Sequence, residues 1–409
     1  MALAQRCLPN SLALTGTDAI QKREELQSAL KRAASTAATL ESHDNATLYV
    51  GTAGAAYALH ELSKKPIASQ CIDFSLKHAS RELLTYTLTA YTNHPGKPGK
   101  KQSVFIGDSG ALLVASLVSS DDPEVGDSSY YAEQYKGILP QALDAEEDEV
   151  LFGRAGWLLG LLQLQRRCGV DVSNEARQVI RKMVSSGRDG AANLLPRRKD
   201  QLPNLFYAWH YKFYIGAAHG LFGIALSLIR SEQHWPSELN MRDDVRSLLE
   251  FLLSLECDAD GNPAEGGYYP TRVFPTTKQP LVHWCHGSPG AIMTFAAAHE
   301  SPTIGEQKYR DAADRAAAAV WHHGLLRKGP GLCHGIAGNA YALARNATSN
   351  GEAAVRFAEF ASSAEGLSTW ESPDHPASLY EGCAGLIPLI GSMLEGESVG
   401  LQRMPLYDE

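Results

Sequence analysis

The chain has 409 residues, of which 44% are apolar and 20% are charged, with 37 Lys and Arg against 46 Asp and Glu. This ordinary globular composition excludes a disordered, collagenous or long coiled-coil protein, and the net charge of −9 argues against a general nucleic-acid binder. The longest apolar runs are far too short to cross a bilayer, so no transmembrane segment is predicted.

A repeated G-x-x-G turn organises the predicted elements along the chain. Every copy is followed by an apolar run, and the positions two and five residues after its second Gly are apolar in all copies. Each copy therefore predicts a tight turn that opens a short helix, and a helix that is apolar all round must be buried. In chain order the pairs are Gly51 and Gly54, Gly107 and Gly110, Gly153 and Gly156, Gly220 and Gly223, Gly287 and Gly290, Gly335 and Gly338, and Gly382 and Gly385.

The intervals of 46 to 67 residues between the copies leave room for a second, amphipathic helix in each. Apolar stripes at helical spacing begin at Leu26 and at Val245, whereas extended alternating segments are scarce. We predict an all-α fold, with residues 1–409 forming one domain of seven helical hairpins, apolar helices inside and amphipathic helices outside. A closed ring is favoured over an open solenoid, because both terminal repeats carry apolar inner helices where a solenoid needs polar caps.

Cysteine usage predicts the compartment. The seven cysteines are an odd number and are scattered, which does not fit a secreted disulfide framework. The first residues also lack the sustained apolar run of a signal peptide. These features predict a cytoplasmic protein.

Aligning the repeats on their first Gly gathers the chemically active residues at equivalent turns. The residue before that Gly is apolar in copies one to three and polar in copies four to seven, namely His219, His286, His334 and Glu381. One position earlier, copies five and six carry Cys285 and Cys333. In a closed ring, equivalent turns lie at the same rim, so Cys285, Cys333, His334 and His219 are expected around one mouth.

Two thiolates and an imidazole form a soft ligand set suited to zinc. Three protein ligands leave a fourth position open, as in catalytic sites, and a thiol entering it is held as a nucleophilic thiolate near neutral pH. On spacing alone, two buried, inert thiols are the favoured interpretation of Cys285 and Cys333. The duplicated strings WCHG (284–287) and LCHG (332–335) favour the metal, and they leave His286 as a residue equivalent to His334 that is not required as a ligand.

Two further residues have both a structural and a functional interpretation. His219 is either a core histidine with its hydrogen bonds satisfied or a general acid or base at the rim. Glu149 is either a solvated acid of the run 146–149 or a partner that orients or charges a base. The Gly- and Pro-rich stretch 257–282 is long enough to be a functional lid or an inserted element.

Four strings of the second half resemble, in order, the Gly motifs of the lanthionine synthetase C-like (LanC-like) family, in its eukaryotic branch. They are GAAHGLFGI (216–224), LVHWCHGSPG (281–290), LLRKGPGLCHGIAGN (325–339) and SLYEGCAG (378–385). The N-terminal AQRxxPN (4–10) is also similar to animal members.

The resemblance implies a double-layered (α/α)7 toroid with one zinc ion per chain, held by Cys285, Cys333 and His334. Eukaryotic members bind glutathione and add its thiol to dehydroalanine or dehydrobutyrine residues in proteins. By motif, His219 matches the catalytic histidine, and Glu149 stands where bacterial members carry a catalytic acid. Arg6 and Lys328 match basic residues associated with glutathione.

Three functions compete on the sequence. The first is this zinc-dependent addition of glutathione, with His219 protonating the enolate. The second is a non-catalytic sensor of glutathione or a peptide that docks a signalling partner such as a kinase or an SH3 domain, which needs the pocket but not His219. The third is a zinc prenyltransferase-like transferase, which usually brings an Asp ligand that the sequence does not offer.

Overall fold

Helices account for the regular structure of this protein. The computed structural model describes residues 3–12, 19–41, 45–93, 102–193, 202–274, 279–345, 351–397 and 403–408. Within these ranges extended pairing is limited to isolated β-bridges, and short 3-10 turns lie at Ala68–Cys71, Pro123–Val125, Glu232–His234 and Cys383–Gly385. The α-helices are α1 (Leu3–Arg6), α2 (Ala19–Ala37), α3 (Thr52–Ser63), α4 (Leu76–Asn93), α5 (Ser109–Asp121), α6 (Ser128–Lys136), α7 (Leu139–Asp144), α8 (Arg154–Cys168), α9 (Ser173–Asn193), α10 (Leu221–Arg230), α11 (Met241–Ser254), α12 (Ser288–Glu300), α13 (Gln307–His323), α14 (Ile336–Ala344), α15 (Glu352–Ser362), α16 (Ala364–Thr369) and α17 (Leu386–Glu395).

Seven of these helices form an inner ring. In chain order they are α3, α5, α8, α10, α12, α14 and α17; each packs against the next, and α17 returns to pack against α3. They are buried on nearly all sides, as their composition predicts; α10, for example, is buried throughout 221–229. The ring is therefore closed, and the all-α toroid expected from the sequence is confirmed.

The outer layer consists of α2, α4, α6, α9, α11, α13 and α15. Each buries one face, as in α9, where Ala176, Val179, Ile180, Met183 and Val184 recur at helical spacing. Six inner helices are followed directly along the chain by their outer partner. The seventh, α17, is covered instead by α2 from the beginning of the described chain, so this last pair joins two distant parts of the sequence.

A ring of hydrogen bonds, here called the collar, links equivalent turns at one end of the inner helices. The collar residues stand two positions before the first Gly of each repeat, and six of the seven donate their backbone N–H to the carbonyl of the equivalent residue in the adjacent repeat. The links are Leu151 to Ala218 at 3.3 Å, Ala218 to Cys285 at 3.4 Å, Cys285 to Cys333 at 3.3 Å, Cys333 to Tyr380 at 2.7 Å, Tyr380 to Tyr49 at 3.0 Å and Tyr49 to Phe105 at 2.9 Å.

Ser103 completes the collar between Phe105 and Leu151, the one neighbouring pair of these described residues that no backbone hydrogen bond joins. Its hydroxyl donates to the carbonyl of Val150 and accepts the N–H of Phe105 at 3.1 Å. The second Gly of each repeat is needed for a related reason. A Cβ there would lie 1.8–2.7 Å from the carbonyl oxygen six residues earlier in six repeats, and 3.0 Å from it in the Gly290 copy. The second Gly of the G-x-x-G pattern therefore permits the close backbone approach on which the collar depends.

Aromatic side chains fill the ring behind the collar. Tyr380 stacks on Tyr49 with ring centroids 5.0 Å apart, and Trp284 lies 5.4 Å from Tyr380. The chain returns here near its last described residue, where Tyr407 packs edge-on against Trp284 at 4.9 Å. Asp408, fully buried, forms ion pairs with Arg230 and Arg345. No helix within the described ranges is both long enough and apolar enough to span a bilayer.

Candidate active site

The collar places two cysteines side by side. Cys285 donates its backbone N–H to Cys333, and His334 follows Cys333 in the same turn. The two sulfur atoms and an imidazole nitrogen of His334 all lie within 4.8 Å of one another. Zinc–ligand bonds of about 2.0–2.3 Å let one ion reach all three after a small side-chain adjustment. This Cys285–Cys333–His334 triad is the set that the sequence predicted.

The surroundings of the triad suit a cation. Burial, followed by the neighbouring Cys285 thiol, holds the pKa of Cys333 well above its ordinary value despite the opposing influence of His334. Burial lowers the pKa of His334, but its hydrogen bond to Cys333 and the charge there raise it more, so the net shift is upward. A divalent cation reverses this balance, because it stabilises deprotonated thiols and a neutral imidazole.

A cavity of about 320 Å³ opens beside the triad. Its lining residue His283 lies next to the triad, with its ring 6.0 Å from that of His334. Burial holds the pKa of His283 well below its usual value, and the charges of His334, His286, Lys328 and Arg6 add to the effect. The cavity is lined by Gln5, Arg6, Thr271, Gln279, Leu281, His283, Arg327, Lys328 and Glu371.

Backbone pairing brings Arg6 and Lys328 to this cavity from distant parts of the chain. Cys7 forms a β-bridge with Leu326, and Arg327 donates its N–H to the carbonyl of Arg6 at 3.2 Å. The two residues that the family motifs pointed to therefore line one space. Sequence reasoning missed Arg327, His283 and Glu371, although the first two lie within strings that it singled out.

His219 and Glu149 form a hydrogen-bonded pair on another side of the collar. His219 Nδ1 lies 2.7 Å from Glu149 Oε2, and the Glu149 side chain is only 2% exposed. Glu149 also accepts the backbone N–H groups of Leu151, at 3.0 Å, and Phe152. It is therefore not a solvated loop acid. With a carboxylate as the acceptor, Nδ1 is the donor of this contact, and Nε2 is the ring nitrogen left to face a substrate.

His286 lies between the pair and the triad without belonging to the triad. Its ring centroid is 6.3 Å from that of His219 and 5.5 Å from that of Tyr214. Burial, followed by the charges of His219 and Arg272, lowers the pKa of His286 to about 4. The described part of the loop 257–282 forms the adjacent wall, since Ile215 donates to Thr271 at 3.3 Å and Thr271 also lines the cavity.

Comparisons with known proteins identify a family and a fold. The family model described as "Lanthionine synthetase C-like protein" matches residues 42–404. A zebrafish (Danio rerio) protein named "Glutathione S-transferase LANCL1" is 31% identical over 298 residues, which cover 71% of this chain and 70% of that protein. The solved structure of "Nisin cyclase" superposes with a TM-score of 0.67 over 93% of this chain and 97% of its own, at 13% identity, which is a likeness of fold.

Proposed function

Because the chain belongs to the lanthionine synthetase C-like family, we propose that it adds the thiol of glutathione to dehydroalanine or dehydrobutyrine residues of proteins, with zinc as its metal. One observation carries the proposal: the collar gathers a Cys2His triad, a cation-lined cavity and a buried His–Glu pair at one mouth of the ring. A relative named as a glutathione S-transferase supports the choice of thiol. The seven free cysteines fit a reducing, cytoplasmic setting.

Charge matching supports glutathione as the occupant of the cavity. Arg6, Arg327 and Lys328 line it together with the acidic side chain of Glu371. Glutathione carries two carboxylates and one ammonium group. The three basic side chains therefore bind the carboxylates by charge-assisted hydrogen bonds, and Glu371 binds the ammonium group. The proposal requires the thiol to reach the triad, whose His334 ring lies 6.0 Å from that of the cavity residue His283.

We infer that the metal binds at the triad. Cys285, Cys333 and His334 would hold it, and it would supply the positive charge that keeps an arriving thiol deprotonated near neutral pH. The residues of the chain do the rest. Arg6 and Lys328 orient the tripeptide, and the buried collar excludes water from the reacting sulfur.

His219 completes the addition. The sulfur forms a bond to the β-carbon of the dehydroamino acid, and the π electron pair of the double bond moves onto the α-carbon and its carbonyl. Nε2 of protonated His219 then gives a proton to the α-carbon, and the proton released by the thiol restores the balance through solvent. Glu149 keeps the imidazole oriented by accepting from Nδ1.

The direct test incubates a dehydroalanine-containing peptide with the purified protein, zinc and glutathione, and follows the peptide by mass spectrometry. We expect the peptide to gain one glutathione faster than in a protein-free control, and metal-stripped protein to lose the acceleration. A peptide that stays unmodified, with a protein that binds both zinc and glutathione, would overturn the enzyme. The glutathione-sensing adaptor would then replace it.

A further inference from the structure

A two-residue turn next to His219 has an unusual backbone. Trp209 and Lys212 exchange N–H to carbonyl hydrogen bonds of 2.9 and 3.0 Å, which closes the turn around His210 and Tyr211. Both central residues have positive φ values, 47° and 60°. Turns of this kind favour Asn and Gly, since side chains strain the left-handed conformation. Strained backbone of this kind tends to occur where a particular geometry is needed.

The turn places the indole ring of Trp209 against the imidazole of His219. The two ring centroids are 3.9 Å apart and the planes differ by 9°. Phe152 flanks both rings, with its centroid 5.8 Å from Trp209 and 5.9 Å from His219. The contact with the indole fixes the plane of the imidazole, and the hydrogen bond to Glu149 fixes its rotation within that plane. Nε2 has no hydrogen-bond partner among the described residues.

We propose that Trp209 is a positioning residue for His219: held by the strained turn at 209–212, it keeps the imidazole plane fixed so that Nε2 faces the incoming enolate. The inference rests on the proposed role of His219 as the proton donor. Proton transfer needs an aligned donor, and small misplacements of a catalytic group lower the rate strongly. A flat, partly buried indole supplies that alignment without itself contacting the substrate.

Two substitutions at Trp209 test the flat contact. Trp209→Leu keeps apolar bulk but removes the stacking face, and we expect kcat to fall by about 10- to 100-fold with zinc content and the KM for glutathione unchanged. Trp209→Phe retains a flat face and should recover most of the wild-type rate. In nuclear magnetic resonance spectra, the ring protons of His219 should lose an upfield shift in Trp209→Leu and keep it in Trp209→Phe.

Tyr211→Gly is the matched control within the same turn. Tyr211 is fully exposed at the tip and makes no ring contact with His219. Glycine adopts its positive φ without strain. We therefore expect a wild-type addition rate and a higher Tm for Tyr211→Gly.

A double-mutant cycle decides whether Trp209 acts through His219. In the His219→Asn background, adding Trp209→Leu should lower the rate no further. Equal fold-losses in both backgrounds, or a wild-type rate for Trp209→Leu alone, would overturn the positioning role while leaving the proposed function standing. If the wild-type protein forms no adduct, or His219→Asn keeps the full rate, the proposed chemistry fails first and this inference fails with it.

Discussion

At the scale of single residues, the triad would hold the proposed metal. Cys285 and Cys333 are 9% and 2% exposed, and the two sulfur atoms and an imidazole nitrogen of His334 lie within 4.8 Å of one another. Neutral thiols tolerate burial, so burial alone does not require an ion. Two thiolates and an imidazole are a ligand set that zinc prefers, which makes metal content the residue-scale test.

We predict about one zinc ion per chain in the purified protein. Cys285→Ala or Cys333→Ala should remove most of it, because a soft site loses much of its affinity with one thiolate. Cys71→Ala, in the 3-10 turn Ala68–Cys71 and outside the triad, should keep the wild-type content. Metal analysis of dialysed proteins measures this, and a metal-free wild type with full activity would refute the zinc mechanism.

The basic side chains of the cavity should determine affinity for glutathione rather than metal content. Arg6→Ala and Lys328→Ala should each weaken binding by about 1.5–3 kcal/mol, the range for hydrogen bonds to charged groups. Isothermal titration calorimetry on zinc-loaded proteins measures the change. Unchanged affinity in both variants would show that the carboxylates bind elsewhere.

Glu371 offers a contrasting variant in the same cavity. Glu371→Gln removes a negative charge that we assign to the ammonium group of glutathione. It should weaken the binding of glutathione, yet leave that of N-acetylglutathione, which lacks the ammonium, unchanged. Equal losses of affinity for both ligands would show that Glu371 maintains the shape of the cavity and does not bind the ammonium group.

At the scale of elements, the repeated G-x-x-G turn explains which parts of the site the sequence could predict. Every collar residue sits at the same position relative to its Gly pair, so aligning the repeats was enough to place Cys285 and Cys333 at one rim. Trp209 and Glu371 lie in segments without a repeated pattern, and their contacts depend on how those segments fold back. The burial of Glu149 could not be predicted either. A run of acidic residues normally indicates a solvated loop, and the backbone N–H groups that Glu149 accepts are known only from the structure.

Ser103 provides the element-scale prediction. It is fully buried and links Val150 to Phe105 where the collar has no backbone bond. Ser103→Ala leaves a buried carbonyl and N–H unsatisfied and should lower the free energy of unfolding by about 1–3 kcal/mol. Ser35→Ala, on the exposed side of α2, should change it by less than about 0.5 kcal/mol. Denaturant unfolding compares the two variants, and equal free energies of unfolding would show that Ser103 does not stabilise the collar.

At the scale of the whole molecule, closure depends on both ends of the chain. α2 covers α17, and the segment ending at Asp408 packs behind the collar against Trp284, the neighbour of a predicted metal ligand. Apolar inner helices in the first and last repeats predicted a closed ring. The pairing of α2 with α17 and the docking of Asp408 are long-range contacts that no local pattern specifies.

Asp408→Asn should destabilise the molecule by about 3–5 kcal/mol, because it leaves the buried Arg345 and the partly buried Arg230 without their full countercharge. Glu300 still contacts Arg230 and Arg345, which favours the lower end of that range. Glu397→Gln breaks a partly exposed pair with Lys65 and should cost less than about 1 kcal/mol. Thermal unfolding tests the contrast, and an unchanged Tm for Asp408→Asn would show that the docked segment contributes little.

Distant turns of one ring are proposed to serve a single reaction, and the variant His219→Asn removes the proton donor that one of them supplies. The measurement is the rate of glutathione addition to a dehydroalanine peptide, with wild type and variant matched for zinc content and glutathione occupancy. We predict a rate lower by about 10²–10⁴ in the variant, the usual contribution of a positioned general acid, with both occupancies unchanged. A variant that adds glutathione at the wild-type rate would contradict it and make His219 a structural residue.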